Sequence, residues 1–361
     1  MIAAGAAGLL ALVLVETRPW AAGQPAPAPA AAPQPDLTST MDWLSAGDGW
    51  LAALDRPAGR TTLFHTPDAG RTWTRLRTSV AVETVAFADA RHGVLYGPSA
   101  TLRTTDGGRH WRALTLPDGA EGQRPVFADA VHGWVWDPLV GALYGTADGG
   151  ERWRPLSGLG LPDDGPEALG FRDALHGWAT APAGPEPPAL YTSGDGGEGW
   201  SARPVPPPPG GWPAGRQFAV GPPAIGADGH GVVLIGEFIP WGFLIVASAY
   251  WVAATADGGA TWGAARPLPA VRPGTVVTLA GSPATGAVAW AWSADELLLT
   301  RDGGATWARA AVPDGGSIDR LQAVGTDGAW AAASVAGGRW ALFSTADGGV
   351  TWRGANTPAL R

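Results

Sequence analysis

The sequence predicts an all-β protein, a single seven-bladed β-propeller of four-stranded blades. An eight-residue motif with the pattern Ser/Thr-x-Asp-x-Gly-x-x-Trp occurs seven times, a second strand–turn–strand pattern precedes each copy, and the repeats show no helical periodicity. The motif aspartates are spaced by 38, 42, 47, 62, 45 and 45 residues, a period that matches one four-stranded blade. The seven copies are Thr66–Trp73, Thr104–Trp111, Thr146–Trp153, Ser193–Trp200, Thr255–Trp262, Thr300–Trp307 and Thr345–Trp352.

Each copy of the motif has the composition of a tight turn between two strands. The glycines accept the positive φ that such turns require, and the Asp carboxylate can accept hydrogen bonds from backbone N–H groups of its own turn. The Ser or Thr hydroxyl adds to this hydrogen-bond network, and the Trp supplies a large apolar side chain for the core. Because the same residues recur in every blade, we predict a scaffold role for them rather than catalysis or metal binding. They are Asp68, Asp106, Asp148, Asp195, Asp257, Asp302 and Asp347, with Trp73, Trp111, Trp153, Trp200, Trp262, Trp307 and Trp352.

The second pattern is a short strand, a turn that holds a glycine, and an alternating apolar strand. Its clear copies are Phe87–Gly97, Phe127–Trp136 and Phe171–Thr180, and its weaker copies are Ser45–Ala53, Gly226–Leu234, Ser282–Trp290 and Gly325–Ala333. Every predicted blade is therefore built from contiguous sequence, and closure of the ring is expected to depend on packing of the first blade against the last. The histidines of these turns fall in different blades, so we predict no metal site and no cofactor. They are His92, His132, His176 and His230.

The motifs resemble those of a known group of propellers. The Ser/Thr-x-Asp-x-Gly-x-Thr-Trp segments resemble the Asp boxes, or BNR repeats, of sialidases, sortilin-type receptors and xyloglucanases. The combined "F-x-D…HGW…T-x-DGG-x-x-W" cadence, over residues 38–361, is more similar to the photosystem II stability/assembly factor family. The resemblance implies a seven-bladed propeller and leaves the function open.

Composition excludes several function classes. The chain has 24 basic residues, all of them Arg, a net charge of −8 and no basic run, so a nucleic-acid binder is not expected. It contains no cysteine, which excludes disulfides, thiolate catalysis, cysteine-ligated metals and a lipid on a cysteine of this sequence.

The first 36 residues have the composition of an export or anchoring segment followed by a spacer. An apolar run over residues 2–15 is too short for a typical membrane span and has the length of a signal-peptide core. The Pro/Ala-rich residues 21–36 predict an extended linker. We therefore expect a signal peptide or membrane anchor in residues 1–20, a propeller over residues 37–361, and an extracytoplasmic location.

Binding is expected on the face opposite the repeated turns, where the loops vary. These loops are Leu54–Arg60, Leu116–Arg124, Trp136–Ala142, Gly158–Glu167 and Ala181–Ala189. Blade five is the exception in length, with insertions at Arg203–Arg216 and Leu234–Trp251. The second insertion predicts an apolar hairpin that either meets a partner or folds over the propeller itself. Its predicted binding residues are Glu237, Phe238, Ile239, Trp241 and Phe243.

The function that the sequence favours is a non-catalytic, monomeric scaffold that binds a protein or a glycan on the variable-loop face. A membrane protein is among the expected partners, with assembly of a membrane or envelope complex as the expected role. The alternative is a sialidase-like glycoside hydrolase, which needs an arginine cluster and two facing carboxylates. The available arginines are Arg56, Arg60, Arg124, Arg216, Arg272, Arg320 and Arg339. The available acids are Asp163, Asp164, Glu167, Glu237, Asp295 and Glu296, and no spacing singles out a pair.

Overall fold

Seven antiparallel sheets, each made of consecutive strands, form the architecture and confirm the predicted seven-bladed propeller. The computed structural model describes residues 39–55, 60–78, 81–97, 99–162, 164–184, 187–241, 244–269, 272, 274–335 and 339–358. The predicted export segment and linker lie outside the described residues.

The first strands of blades one and two, three and four, five and six, six and seven, and seven and one contact each other, which places the first strands around the centre of the ring. The only helical element described is a 3₁₀ turn at Pro313–Gly315, and no described helix is long and apolar enough to cross a membrane. Blade one contains β1 Ser39–Trp43, β2 Gly49–Asp55, β3 Arg60–Thr66 and β4 Thr74–Leu76. Blade two contains β5 Thr84–Phe87, β6 Gly93–Gly97, β7 Ala100–Thr104 and β8 Arg112–Ala113. Blade three contains β9 Val126–Phe127, β10 Gly133–Asp137, β11 Ala142–Thr146 and β12 Arg154–Pro155. Blade four contains β13 Ala168–Phe171, β14 Gly177–Thr180, β15 Ala189–Ser193 and β16 Ser201–Pro204. Blade five contains β17 Gln217–Val220, β18 Ala224–Ile225, β19 Gly231–Trp241, β20 Leu244–Thr255 and β21 Arg266–Pro267. Blade six contains β22 Thr278–Gly281, β23 Ala289–Trp292, β24 Leu297–Thr300 and β25 Ala308–Arg309. Blade seven contains β26 Ser317–Val324, β27 Gly328–Val335, β28 Arg339–Thr345 and β29 Arg353–Gly354.

The turn between the third and fourth strands has one hydrogen-bond pattern, which blade five illustrates. The buried Thr255 hydroxyl accepts the Gly259 N–H at 2.9 Å and donates to Asp257 Oδ1 at 2.8 Å. Asp257 in turn accepts the Thr261 N–H at 2.9 Å and the Thr261 hydroxyl at 2.6 Å. The bonds from hydroxyl to aspartate and from glycine to hydroxyl occur in all seven blades. We call these seven segments the box turns.

A backbone hydrogen bond joins each box turn to the turn between the first and second strands of the same blade. In blade five, the Gly258 N–H donates to the Gly229 carbonyl at 2.8 Å. The other six blades repeat the bond at 2.8 to 2.9 Å. Both kinds of turn therefore lie at one end of every blade, which we call the turn face. The loops between second and third strands lie at the other end, the loop face. The connector from blade three to blade four reaches the turn face, where the Trp200 N–H donates to the Leu159 carbonyl at 2.7 Å.

Within residues 39–358, ring closure uses no strand exchanged between the first and last blades, because the described strands of each of these blades are consecutive. The indole rings of Trp43 and Trp330 stack with centroids 3.6 Å apart. The Gln322 side chain accepts the Trp43 N–H at 3.0 Å and donates to Asp42. Trp73 donates through Nε1 to the carbonyl of Asn356 at 2.7 Å, so packing and hydrogen bonds of side chains join the first blade to the last.

The box turns predict a specific loss of stability in acid. Hydrogen bonds from the hydroxyl and then from the N–H of Thr261 lower the pKa of Asp257 to about 2, below the roughly 3.9 of an unfolded chain. The charged carboxylate therefore stabilises the fold above about pH 4, and this contribution disappears as the pH falls to about 2. We expect D257N to be less stable than wild type at pH 6 and equally stable near pH 2, by urea unfolding. D118N is the matched control, because Asp118 is exposed and makes no side-chain hydrogen bond with the described residues.

A gap between D257N and wild type that is as large at pH 2 as at pH 6 would show that the charge of Asp257 is not what stabilises the turn.

Ring closure predicts that two similar stacked pairs respond differently to truncation. Trp330 and Trp134 are both buried in stacks, but only the Trp330 stack joins blades that no chain connector links. Replacing either by Ala removes about 3–5 kcal/mol of packing. We expect W330A to increase hydrogen exchange throughout β1 and β26, and W134A to leave these strands protected. Equal exchange of these strands in the two variants would contradict a special role of the Trp43–Trp330 stack in closure.

Candidate functional site

The blade-five hairpin is the longest strand pair of the described chain. The inner strand β17 pairs with β19 only as far as Phe238, opposite Gln217. Beyond that point, Ile239–Trp241 pairs with Leu244–Val246 and with no other described strand. The sequence prediction of a projecting hairpin is therefore matched by a two-stranded extension on the loop face.

Two of the predicted binding residues lie below the tip of this hairpin. Glu237 is only 8% exposed, accepts the Ser248 hydroxyl at 2.7 Å and lies 3.6 Å from Nε of Arg216. Phe238 packs against the core between blades five and six and meets Tyr250 edge-on. Glu237 and Phe238 thus belong to the packed blade, because β17 and the blade interface cover them.

The backbones of Ile239 and Trp241 belong to the two-stranded extension. Ile239 is half-buried, while Phe243 and the side chain of Trp241 lie outside the described residues.

The connector to blade six fastens the base of the hairpin. The Tyr250 hydroxyl donates to the Thr275 carbonyl at 3.1 Å and accepts the Val277 N–H at 3.3 Å. The Gly274 N–H donates to the Ala247 carbonyl at 2.7 Å. Burial raises the pKa of Tyr250 above its ordinary value, so this hydroxyl stays protonated over the physiological range. The base of the hairpin is therefore a fixed part of the propeller.

The predicted variable loops Trp136–Ala142 and Ala181–Ala189 have defined contacts, and Gly158–Glu167 places Leu159 against the box turn of blade four. In Trp136–Ala142, the buried Asp137 accepts the N–H groups of Leu139 and Val140, whose side chains are 80% and 68% exposed. Ala181–Ala189 reaches blade five, where Gly184 and Phe218 exchange two backbone hydrogen bonds. The first loop presents apolar side chains on the loop face, and the second closes that face between blades four and five.

The predicted arginines and acids are dispersed over several blades. Burial, followed by the charge of Arg320, lowers the pKa of Arg124, while the nearby Asp42 opposes this shift. Of the candidate acids, Glu237, Asp295 and Glu296 each lie within 4 Å of an arginine nitrogen, on Arg216, Arg272 and Arg309 respectively. Asp164 and Glu167 are exposed. Asp163, Arg56 and the side chains of Arg60 and Arg339 lie outside the described residues.

The turn histidines lie in separate blades, as the repeat predicts. His92, His132 and His176 each bind, through Nδ1, an aspartate of the same turn. His230 lies 3.5 Å from Asp228. No three His, Asp or Glu side chains of the described residues are grouped to hold a metal ion.

A groove of about 930 Å³ lies on the turn face, over blades four and five. Its lining includes Trp178, Arg203, Pro223 and Ile225. Sequence reasoning placed binding only on the loop face and missed this groove, because the turn face carries the repeated motifs. The signal was nevertheless present: "GPPAI" ends the inner strand of blade five where three other blades have a Phe.

Comparison with known proteins bears on family and fold. No family model matches the sequence. The photosystem II assembly lipoprotein Ycf48 of Synechococcus sp. (strain CC9902) is 37% identical over 123 residues, which are 33% of this chain and 35% of that protein. The match thus spans about a third of the relative's length. It confirms the resemblance to the photosystem II assembly factor propellers that the motifs indicated.

Two solved structures share the fold. One, described as YCF48 bound to D1 peptide, is 22% identical with a TM-score of 0.56, over 83% of this chain and 92% of that chain. The other, YCF48 from Cyanidioschyzon merolae, is 17% identical with a TM-score of 0.53, over 82% of this chain and 94% of that chain. At these identities the likeness concerns the propeller architecture.

Proposed function

We propose that this chain is a non-catalytic, extracytoplasmic propeller that binds a segment of a partner protein through the blade-five hairpin and assists assembly of a membrane or envelope complex. The observation that carries the proposal is the extension of β19 and β20 beyond their last pairing with β17. The extension and its turn have the sequence "IPWGFLIV", residues 239–246, with no charged or hydrogen-bonding side chain except the indole of Trp241.

Such an extension gains stability from a partner. A two-stranded ribbon is marginally stable in water on its own, and an apolar one gains free energy when a second protein covers it. Aromatic residues at a projecting tip are favoured anchors in protein interfaces. The fixed base, held by Tyr250 and Ala247, lowers the entropy that binding would cost.

The comparisons support a polypeptide as the ligand. The 37% identical relative is named an assembly lipoprotein of photosystem II, and a propeller of the same fold has been solved with a peptide bound. The ion pairs of Glu237, Asp295 and Glu296 support a non-catalytic role, because each acid has an arginine partner. The apolar residues 2–15 support an extracytoplasmic location.

The test removes the extension without disturbing the blade. Phe238 and Ala247 are paired across the hairpin, so an Asn-Gly turn can join them directly in place of residues 239–246. We expect the full-length protein to capture a membrane-protein partner from a detergent-solubilised envelope extract, and the shortened variant to lose it with little change in melting temperature. The double variant L139S/V140S, which removes exposed apolar side chains on the same face, is the matched control and should retain capture.

Capture of the same partner by the shortened variant would contradict the proposed site. Binding of a glycan array in place of any protein would contradict a polypeptide ligand.

A further inference from the structure

Flat rings join several of the blades. The last residue of an inner strand stacks on a tryptophan in the second strand of the preceding blade: Phe171 on Trp134 at 3.5 Å, and Phe87 on Trp50 at 3.7 Å. Trp43 and Trp330 form the same pair at 3.6 Å. These three second-strand tryptophans are at most 3% exposed, so the incoming ring completes their burial.

The junction of blades four and five lacks this ring. Ile225 takes the place of Phe171, since each pairs with the glycine that begins the next strand, Gly231 and Gly177. Trp178, the second-strand tryptophan of blade four, stays half-buried and has no ring partner among the described residues.

The indole nitrogen of Trp178 also lacks its acceptor. Nε1 of Trp134 donates to the Gly196 carbonyl at 2.8 Å, and Nε1 of Trp50 points to the Gly107 carbonyl at 3.4 Å. No described residue accepts a hydrogen bond from Nε1 of Trp178. Trp178 is thus short of both a stacking partner and an acceptor, which Trp134 and Trp50 have. Trp290 of blade six also lacks an acceptor among the described residues, but it is fully buried, whereas Trp178 is half-buried and lines the groove.

The inner strand of blade five explains the difference. Gly221–Pro223 interrupts it, and the prolines have no N–H to continue the ladder. The segment that follows binds blade six: the Ala227 N–H donates to the Pro283 carbonyl, and Asp228 accepts the Thr285 hydroxyl at 2.7 Å. The groove lies on the other side of this segment, against Trp178.

We propose that this groove binds an aromatic side chain of a partner polypeptide. The ring takes the place of the missing Phe against Trp178, and a backbone carbonyl of the partner accepts from the indole Nε1. Arg203 lines the same groove and donates only through Nε, to Thr192 at 3.2 Å, among the described residues, which leaves its terminal nitrogens for a second carbonyl.

The chemistry of the groove favours this occupant over a cation. Asp195 and Asp257 line it, but the N–H and hydroxyl groups of their own box turns already bind their carboxylates. The junctions at Trp50, Trp134 and Trp330 show that a Phe or Trp side chain with a backbone carbonyl fits this position of the fold. The inference is independent of the hairpin, which lies on the opposite face.

The first experiment places an aromatic ring in the groove by a substitution in the protein itself. Gly231 lies beneath Ile225 as Gly177 lies beneath Phe171, so I225F can adopt the geometry of the Phe171–Trp134 junction. We expect I225F to raise the melting temperature and to move the Trp178 indole resonance. The matched control is V324F, at the same position of blade seven, where Val324 is buried and a larger side chain overpacks the core. A loss of stability in I225F as large as in V324F would show that there is no site for a ring.

The second experiment uses peptide probes on the full-length protein labelled with 5-fluorotryptophan, with the Trp178 signal assigned by W178F. We expect acetyl-Gly-Phe-Gly-amide to shift this signal in wild type and not in I225F, and to bind about tenfold more tightly than acetyl-Gly-Leu-Gly-amide. Equal affinities of the two peptides, or no shift with either, would overturn the proposal. Toluene binding as tightly as the Phe peptide would overturn the polypeptide part of it.

Discussion

Side-chain packing between blades is the constraint on which the rest of this structure depends. The seven sheets are separate, so the backbone ladders that stabilise each blade do not hold one blade to the next. Aromatic and aliphatic side chains from adjacent blades form the core clusters instead, including the one that closes the ring. Flat stacked rings fit this task because they bury a large area within the narrow space between two sheets.

The box turns set the geometry in which this packing occurs. Their hydroxyl, carboxylate and glycine N–H groups satisfy one another locally, and one further bond ties each turn to its neighbour in the blade. The box tryptophan then packs at the junction with the preceding blade, as Trp200 does between blades three and four and Trp352 between blades six and seven. The repeated motif therefore orients a blade and supplies part of its junction with the previous one.

Blade five departs from the repeat at both of its ends. On the loop face, β19 and β20 extend beyond the inner strand β17. On the turn face, prolines divide the inner strand into β17 and β18. At one end the strand pair Ile239–Trp241 and Leu244–Val246 has no third strand among the described residues, and at the other end Trp178 is half-buried. Both proposed binding regions therefore involve the one blade that departs from the repeat.

The sequence by itself determined the propeller, the number of blades, the place of every box turn and the length of the blade-five hairpin. It could do so because turns and strand alternation are local, and each depends on residues within one repeat. Tertiary structure alone decided that Glu237 and Phe238 are packed rather than presented at the tip, and that no described aromatic ring stacks on Trp178. Those outcomes depend on where β17 ends and on which residue of the next blade packs against Trp178. Both are contacts between segments that lie tens of residues apart in the sequence. The "GPPAI" segment is visible in the sequence, but its consequence follows only from comparison with the three junctions where a ring stacks on the second-strand tryptophan.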